Sequence, residues 1–124
     1  MKKIILLILS TFLFSYQSLP ATVKNIKALQ AKHIPIVDIR TPREWALTGV
    51  IPGAIKDTFF DEYGRINPNF LKKIKARKFA IICRTGHRSK LAASILEHNK
   101  IEVIELSGGM FYLFKDMLKN FNQY

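Results

Sequence analysis

Hydrophobic residues follow two spacings along the chain, and these spacings predict an alternation of helices and strands. Val23, Ile26 and Leu29 share one face of a predicted helix over residues 23–32, and residues 36–39, which are apolar except for Asp38, are typical of a short buried strand. Further predicted elements are a helix over 43–47, a turn and strand over 51–55, a helix over 68–76, a strand over 79–82, a helix over 89–98, a strand over 102–106 and a helix over 109–121. Strands that alternate with helices in short units indicate an α/β fold with a parallel sheet and helices on both faces.

The N-terminus has the pattern of a secretory leader. Residues 1–3 are basic at two positions, residues 4–14 are largely apolar, and small or polar residues follow through Ala21. The apolar stretch is too short for a transmembrane helix, which needs about 20 apolar residues to span a bilayer. We therefore predict a signal peptide over residues 1–21, one domain over 22–124, and a periplasmic or secreted protein. Leu19 makes the cleavage site after Ala21 a weak one, so an uncleaved leader that anchors the domain to the inner membrane remains the alternative.

The chain is strongly basic, with 20 Lys and Arg against 9 Asp and Glu and a net charge of +11. Such a surface attracts anions, which range from small molecules to nucleic acid. The basic residues are scattered apart from one cluster over 72–78, and no aromatic platform for single-stranded nucleic acid accompanies that cluster. We expect no nucleic-acid partner, and a membrane contact only through an uncleaved leader.

Cys83 is the single cysteine in the sequence, so the domain contains no internal disulfide. The three histidines show no spacing typical of a metal site, and we expect no metal ion. The thiol is then a buried core group, an intermolecular disulfide partner or a reactive group.

The surroundings of Cys83 favour a reactive group. Cys83 follows the predicted strand over 79–82 and begins a polar loop that leads into the next helix. Ligands of open parallel sheets bind beyond the carboxyl ends of the strands, and the N–H groups and dipole of a helix amino end attract anions. Arg84 and Arg88 add positive charge, and Gly86 permits a tight turn. The loop therefore predicts a stabilised nucleophilic thiolate in an anion pocket.

Two kinds of chemistry use such a loop: phosphate-ester hydrolysis and sulfane-sulfur transfer through a persulfide. Cysteine phosphatases use the spacing Cys-x5-Arg, in which the arginine grips the phosphoryl oxygens. Here Arg88 stands one position too early, and Ser89 occupies the sixth place after Cys83. The shorter loop favours sulfur transfer over a phosphatase or arsenate reductase.

Three segments and a late glycine pair resemble the single-domain rhodanese family of sulfurtransferases, in its small exported form. They are Val37–Trp45, Gly49–Ile55, the loop Cys83–Ser89, and Ser107–Gly109, and the resemblance extends over about residues 23–114. One departure is Val50, which stands where the family usually has a histidine. The resemblance implies a rhodanese-like three-layer α/β/α sandwich with a mostly parallel five-stranded sheet.

The resemblance also implies an activity and a set of site residues. Cys83 would take the outer sulfur of thiosulfate or a similar small anionic donor and pass it to cyanide or a thiol, without any cofactor. Asp38 and Arg40 would support the site, Asp38 by bracing the backbone or an arginine and Arg40 by pairing with Glu44. The loop residues expected to bind the anion are Arg84, Thr85, Gly86, His87, Arg88 and Ser89.

Two further expectations concern the role of His87 and the alternative to catalysis. His87 is expected to point outward and to take no part as a base, because an ionised thiolate needs none. A rhodanese-like module that binds partners or senses redox state without catalysis is the alternative to an enzyme. We expect the protein to be a monomer.

Overall fold

The predicted alternation of strands and helices is confirmed over most of the chain by the computed structural model, which describes residues 15–121. The strands are β1 (Gln17–Pro20), β2 (Ile36–Asp38), β3 (Ile55–Lys56), β4 (Lys78–Ile82) and β5 (Glu102–Ser107). The helices are α1 (Val23–Ala31), α2 (Pro42–Thr48), α3 (His87–His98) and α4 (Gly109–Lys119). Among residues 15–121, no helix has both the length and the apolar character needed to cross a bilayer.

The five strands form one sheet in the order β1-β5-β4-β2-β3, and every pairing is parallel. The central strand β4 pairs with β2 through Ala80 opposite Ile36, and with β5 through Ala80 opposite Ile104. Because all strands run the same way, their carboxyl ends meet at one edge of the sheet. Cys83 follows β4 directly and therefore lies at the middle of that edge.

Helices cover both faces of the sheet, as the three-layer α/β/α prediction requires. On one face, Ala92, Ala93 and Leu96 of α3 pack against strand residues such as Ile81 and Val103. On the other face, side chains of α1 and α4 pack against the alternate strand residues; they are Ile26, Leu29, Met110 and Leu113. Each fully buried Val, Leu or Ile side chain stabilises the fold by about 1.5–3 kcal/mol, so both layers contribute to the stability of the fold.

The predicted helix over residues 68–76 is wrong, because this segment forms successive turns. Leu71 adopts a left-handed backbone conformation with φ +83°, which interrupts a right-handed helix. The hydrogen bonds join residues three apart, as from the Ile74 N–H to the Leu71 carbonyl. Phe70 packs edge-on against Phe59, with ring centroids 4.8 Å apart, so these turns still bury the aromatic side chain in the core.

Strand β1 lies within the segment that the leader prediction assigns to residues 1–21. Its residues pair with β5 from Gln17 opposite Ile104 to Pro20 opposite Ser107, and Ala21 is fully buried. Residues 1–14, which contain the apolar core of the predicted leader, lie outside the described residues. The sheet thus includes residues that a cut after Ala21 would remove.

Candidate active site

The Cys83 sulfur lies between the end of β4 and the amino end of α3. Two backbone N–H groups donate to Sγ: that of Gly86, with N to Sγ 3.1 Å, and that of Ser89, with N to Sγ 3.4 Å. The Ser89 Oγ atom lies 3.5 Å from Sγ. These donors and the positive end of the α3 dipole would stabilise negative charge on the sulfur or on an atom bound to it.

Gly86 makes this arrangement possible, because it precedes α3 with φ +99°. A Cβ atom at this position would lie 3.0 Å from the Gly108 nitrogen, closer than ordinary packing allows. The loop is therefore held close to the segment that leads into α4. A glycine meets both requirements, the left-handed backbone and the close approach.

The first turn of α4 supports the loop from the other side. The Met110 N–H donates to the Cys83 carbonyl at 2.8 Å, and the Phe111 N–H donates to the Arg84 carbonyl at 2.9 Å. Helix amino ends leave such N–H groups without partners inside the helix, and here the loop provides them. Cys83 is thus fixed through its backbone as well as by the contacts of its sulfur.

Arg88 is engaged by a carboxylate on α2 instead of pointing freely into the anion pocket. Its two terminal nitrogens donate to the two Glu44 carboxylate oxygens at 2.6 and 2.7 Å. Glu44 also takes part in the capping box of α2 with Thr41. The hydrogen bond from Arg88 is the largest cause of a Glu44 pKa of about 2, against an ordinary value of 4.5. The same bond raises the pKa of Arg88, to which the nearby Cys83 and Asp38 also contribute.

This ion pair predicts a pH dependence of stability. Since the Glu44 pKa is lowered by folding, its contribution is complete above pH 4.5 and is lost as the pH falls towards 2. We expect Glu44→Gln to lower the free energy of unfolding by about 1–2 kcal/mol at neutral pH, after allowance for screening of a half-buried pair. The difference from wild type should shrink between pH 4.5 and 2. Urea unfolding at a series of pH values measures it.

Glu102→Gln is the matched control, because it removes one carboxylate from a surface pair with Lys78, in which the charged atoms lie 3.8 Å apart. We expect it to change stability little at any pH. A loss for Glu44→Gln that stays constant from neutral pH down to pH 2 would show that the ion pair does not cause it.

Asp38 and Arg40 form a second, fully buried ion pair under the site, with side-chain exposures of 0% and 1%. Arg40 donates to both carboxylate oxygens of Asp38, and its remaining donors reach Thr48 Oγ1 at 2.6 Å and the Gly49 carbonyl at 2.7 Å. Asp38 thus holds the guanidinium of Arg40, while its part in supporting the site stays a prediction. The expected pair of Arg40 with Glu44 is wrong, because Arg40 points inward to Asp38 while Glu44 faces Arg88.

The structure brings part of the predicted anion-binding set around the sulfur. Gly86 and Ser89 contact Sγ directly. Arg84, Thr85 and His87 are exposed on the outer side of the loop. Within residues 15–121, no cluster of three or more His, Cys, Asp or Glu side chains is arranged as around a metal ion.

Sequence analysis missed one residue of this region, Glu105. It is 1% exposed on β5, and its Oε2 atom lies 3.3 Å from Ser89 Oγ. The signal was present in the sequence, because Glu105 is a charged residue between the apolar Ile104 and Leu106, inside the strand rather than at its end as Glu102 is. Charged residues are almost never fully buried without a specific partner.

Comparison with known proteins agrees with the fold. A family model for the rhodanese-like domain matches residues 21–115, whereas no curated protein matches the chain. The chain is similar to a solved rhodanese-like domain protein from Staphylococcus aureus, with 26% identity and a TM-score of 0.56 over 77% of this chain and 89% of that chain.

Two further solved structures extend the comparison. A protein of unknown function from Rhodopseudomonas palustris, described as a possible tyrosine phosphatase, is 29% identical, with a TM-score of 0.54 over 76% of each chain. A rhodanese-related protein from Thermoplasma volcanium shares the fold at 24% identity, with a TM-score of 0.62 over 82% of this chain and 93% of that chain. The family match spans most of the chain and includes β4, the cysteine loop and α3. On this evidence the chain belongs to the rhodanese-like domain family.

Proposed function

We propose that the protein is a sulfurtransferase that moves sulfane sulfur from thiosulfate or a similar donor to a thiol or cyanide through a persulfide on Cys83. The observation that carries the proposal is the pair of N–H groups, from Gly86 and Ser89, that converge on Sγ at the amino end of α3. These donors suit a sulfur atom that is anionic before and after it accepts a second sulfur. Their fixed positions act on charge as an oxyanion hole does.

Each half-reaction exchanges one sulfur bond for another. The Cys83 thiolate attacks the outer sulfur of thiosulfate, a bond forms between the two sulfurs, and sulfite leaves with the electron pair of the broken bond. The acceptor thiolate or cyanide then attacks the terminal sulfur, and the Cys83 thiolate leaves. Neither step needs an external oxidant or cofactor, and covalent catalysis divides the transfer into two easier displacements.

Arg84 is the residue best suited to attract the anionic donor. It is exposed at the mouth of the loop, directly after Cys83, whereas both terminal nitrogens of Arg88 are bound by Glu44. Arg88 then holds the loop against α2 and adds positive charge near the sulfur. The engaged guanidinium also argues against a phosphatase, which needs an arginine free to grip phosphoryl oxygens.

Export remains part of the proposal. The basic and apolar leader supports a periplasmic or secreted protein, or one that the leader anchors to the inner membrane. Fractionation of cells that express the full chain, followed by intact mass of the product, would distinguish the three locations and show where the chain begins. A full-length product in the cytoplasm would contradict export.

One observation favours a second candidate, a rhodanese-like module without catalysis. Cys83 is only 1% exposed, so a donor reaches the sulfur by a narrow approach or after the loop moves. A protein that binds partners through this fold would not need an accessible sulfur. Loading of the sulfur by a donor therefore separates the two candidates.

The decisive experiment measures the intact mass after incubation with thiosulfate and removal of excess donor. We expect the reduced full-length protein to gain the mass of one sulfur atom, and cyanide or a thiol to discharge it, because the attack forms a persulfide on Cys83. Cys83→Ser should gain no mass, since a serine hydroxyl has no comparable nucleophilicity.

Arg84→Ala provides a control within the loop. It should load the same single sulfur but require a higher thiosulfate concentration, because the charge that attracts the donor is lost while the N–H donors stay in place. A wild-type protein that gains no mass with thiosulfate or with another sulfane-sulfur donor would overturn the proposed activity and favour the binding module.

A further inference from the structure

Glu105 is a buried carboxyl group beside the cysteine loop that the proposed sulfur transfer does not use. It stands on β5 between its register partners Ser18 of β1 and Ile81 of β4, and it is 1% exposed. Within residues 15–121, no basic side chain forms an ion pair with it. Burial of a carboxyl group without a cationic partner costs stability, so a carboxyl group at this position needs a specific explanation.

Hydrogen bonds connect Glu105 to Cys83 through one hydroxyl group. Ser89 Oγ lies 3.3 Å from Glu105 Oε2 and 3.5 Å from Cys83 Sγ. The other carboxylate oxygen, Oε1, accepts a hydrogen bond from Ser18 Oγ at 2.9 Å. The sulfur of the cysteine and the carboxyl group are therefore separated by a single side-chain oxygen.

The Ser89 hydroxyl has one proton, and three groups compete for it. Its oxygen lies 3.1 Å from the Gly86 carbonyl as well as near the carboxyl group and the sulfur. When Cys83 is a thiol, its S–H donates to Ser89 Oγ and the hydroxyl proton can point to Glu105. When Cys83 is an anion, the same hydroxyl donates to the sulfur instead. The state of the carboxyl group and the state of the sulfur are therefore linked.

We propose that Glu105 is a positioning residue that receives the Cys83 proton through Ser89. The S–H bond of Cys83 breaks as its proton binds Ser89 Oγ, and the Ser89 O–H bond breaks as its proton binds Glu105 Oε2. Negative charge moves from the carboxylate to the sulfur, and no additional charge is created in the buried site. The part this step plays in turnover rests on the proposed sulfur transfer, but the step itself precedes any donor.

A step caused by His87, which is exposed on the outer side of the loop, would persist in both Glu105→Gln and Ser89→Ala, and the other charged groups around this pair do not change state over the range of the experiment. Arg88 of α3 interacts with Cys83 and is held by Glu44, whose pKa is about 2. Arg40, at the end of β2, is paired with Asp38, and arginine side chains remain protonated in proteins. From β1 and β4, the groups beside Glu105 in register are the hydroxyl of Ser18 and the apolar side chain of Ile81.

The test is the rate of Cys83 alkylation by iodoacetamide in the full-length protein, measured from about pH 5 to about pH 10. A thiol and a carboxyl group that share a proton titrate as a coupled pair, so wild type should show two steps separated by a plateau. Glu105→Gln should show one step and should react more slowly than wild type at the pH of the plateau, since glutamine cannot accept the Cys83 proton. Ser89→Ala, which removes the connecting hydroxyl, should lose the plateau as well.

Glu102→Gln is the matched control, because Glu102 lies on the same strand but is exposed and remote from the sulfur. It should retain both steps. A single-step wild-type profile that Glu105→Gln and Ser89→Ala leave unchanged would overturn the proposal. Circular dichroism reports whether Glu105→Gln folds, and if it does not, Ser89→Ala decides. Because alkylation needs no sulfur donor, a two-step profile in a protein that neither thiosulfate nor another sulfane-sulfur donor loads would refute the sulfur transfer alone.

Discussion

Gly109→Ala is expected to destabilise the fold by roughly 2–5 kcal/mol, the sum of left-handed backbone strain and overpacking. Gly109 begins α4 with φ +62°, and an added Cβ would lie 2.5 Å from the Cys83 carbonyl oxygen and 2.6 Å from that of Arg84. Both neighbours are backbone atoms, so they cannot yield by rotation of a side chain. The loop would have to move away from α4, and the N–H donors around the Cys83 sulfur would move with it.

Gly64→Ala separates the two contributions, because Gly64 has a similar φ of +78° but no atom within 4 Å of its added Cβ. Its expected cost is only the strain, about 1–2 kcal/mol. Urea unfolding gives both stabilities, and the rate at which thiosulfate loads Cys83 gives the effect on the site. Gly109→Ala should slow loading while Gly64→Ala leaves it unchanged. Equal effects of the two substitutions on stability and loading would show that the contact between α4 and the loop is not critical.

The cysteine loop could be predicted because its determinants are local. The apolar run of β4, the polar residues after Cys83 and the apolar stripe of α3 follow one another without interruption. The resemblance to the family includes Gly108 and Gly109 but contains no physical reason for them. The requirement for glycine at these positions is not local, because it arises from the close approach of α4 to a loop more than 20 residues earlier in the sequence.

Charge pairing around the site shows the limit of sequence spacing. The resemblance implied a pair of Arg40 with Glu44, but Arg40 precedes α2 and its side chain enters the interior to meet Asp38. Glu44 is then free to bind Arg88, a residue 44 positions later. The partner of a charged side chain depends on which elements pack together, and the spacing within one element does not contain that information.

Sequence analysis assigned one segment wrongly and left out another, and in both the conformation depends on contacts with residues distant in the sequence. Over residues 68–76, apolar spacing predicted a helix, but the burial of Phe70 against Phe59 and the left-handed Leu71 give turns. The sequence does not indicate strand β1, because small and polar residues after an apolar run are typical of the end of a leader. Its pairing with β5 joins residues more than 80 positions apart.

The position of β1 leads to the last prediction, on two shortened chains. A chain that begins at Thr22 should be less stable than one that begins at Ser15 by roughly 2–4 kcal/mol, because it loses several hydrogen bonds at about 1 kcal/mol each. These include the bond from the Ala21 N–H to the Ser107 carbonyl and the bond from Ser18 to Glu105. It also leaves β5 as an unpaired edge with a carboxyl group exposed beside it, and such edges promote aggregation.

Urea unfolding and size-exclusion chromatography of the two chains, beside the full-length protein, measure this difference. The chain from Ser15 retains β1 and should match the full-length protein in unfolding midpoint and remain monomeric. If the chain from Thr22 is as stable as the chain from Ser15, β1 is dispensable and a cut after Ala21 leaves a stably folded domain. If the expected loss is found, export and folding impose opposite demands on residues 17–20, since a processing enzyme that removed them would remove the strand beside Glu105. A processed form of this protein should then begin upstream of Gln17.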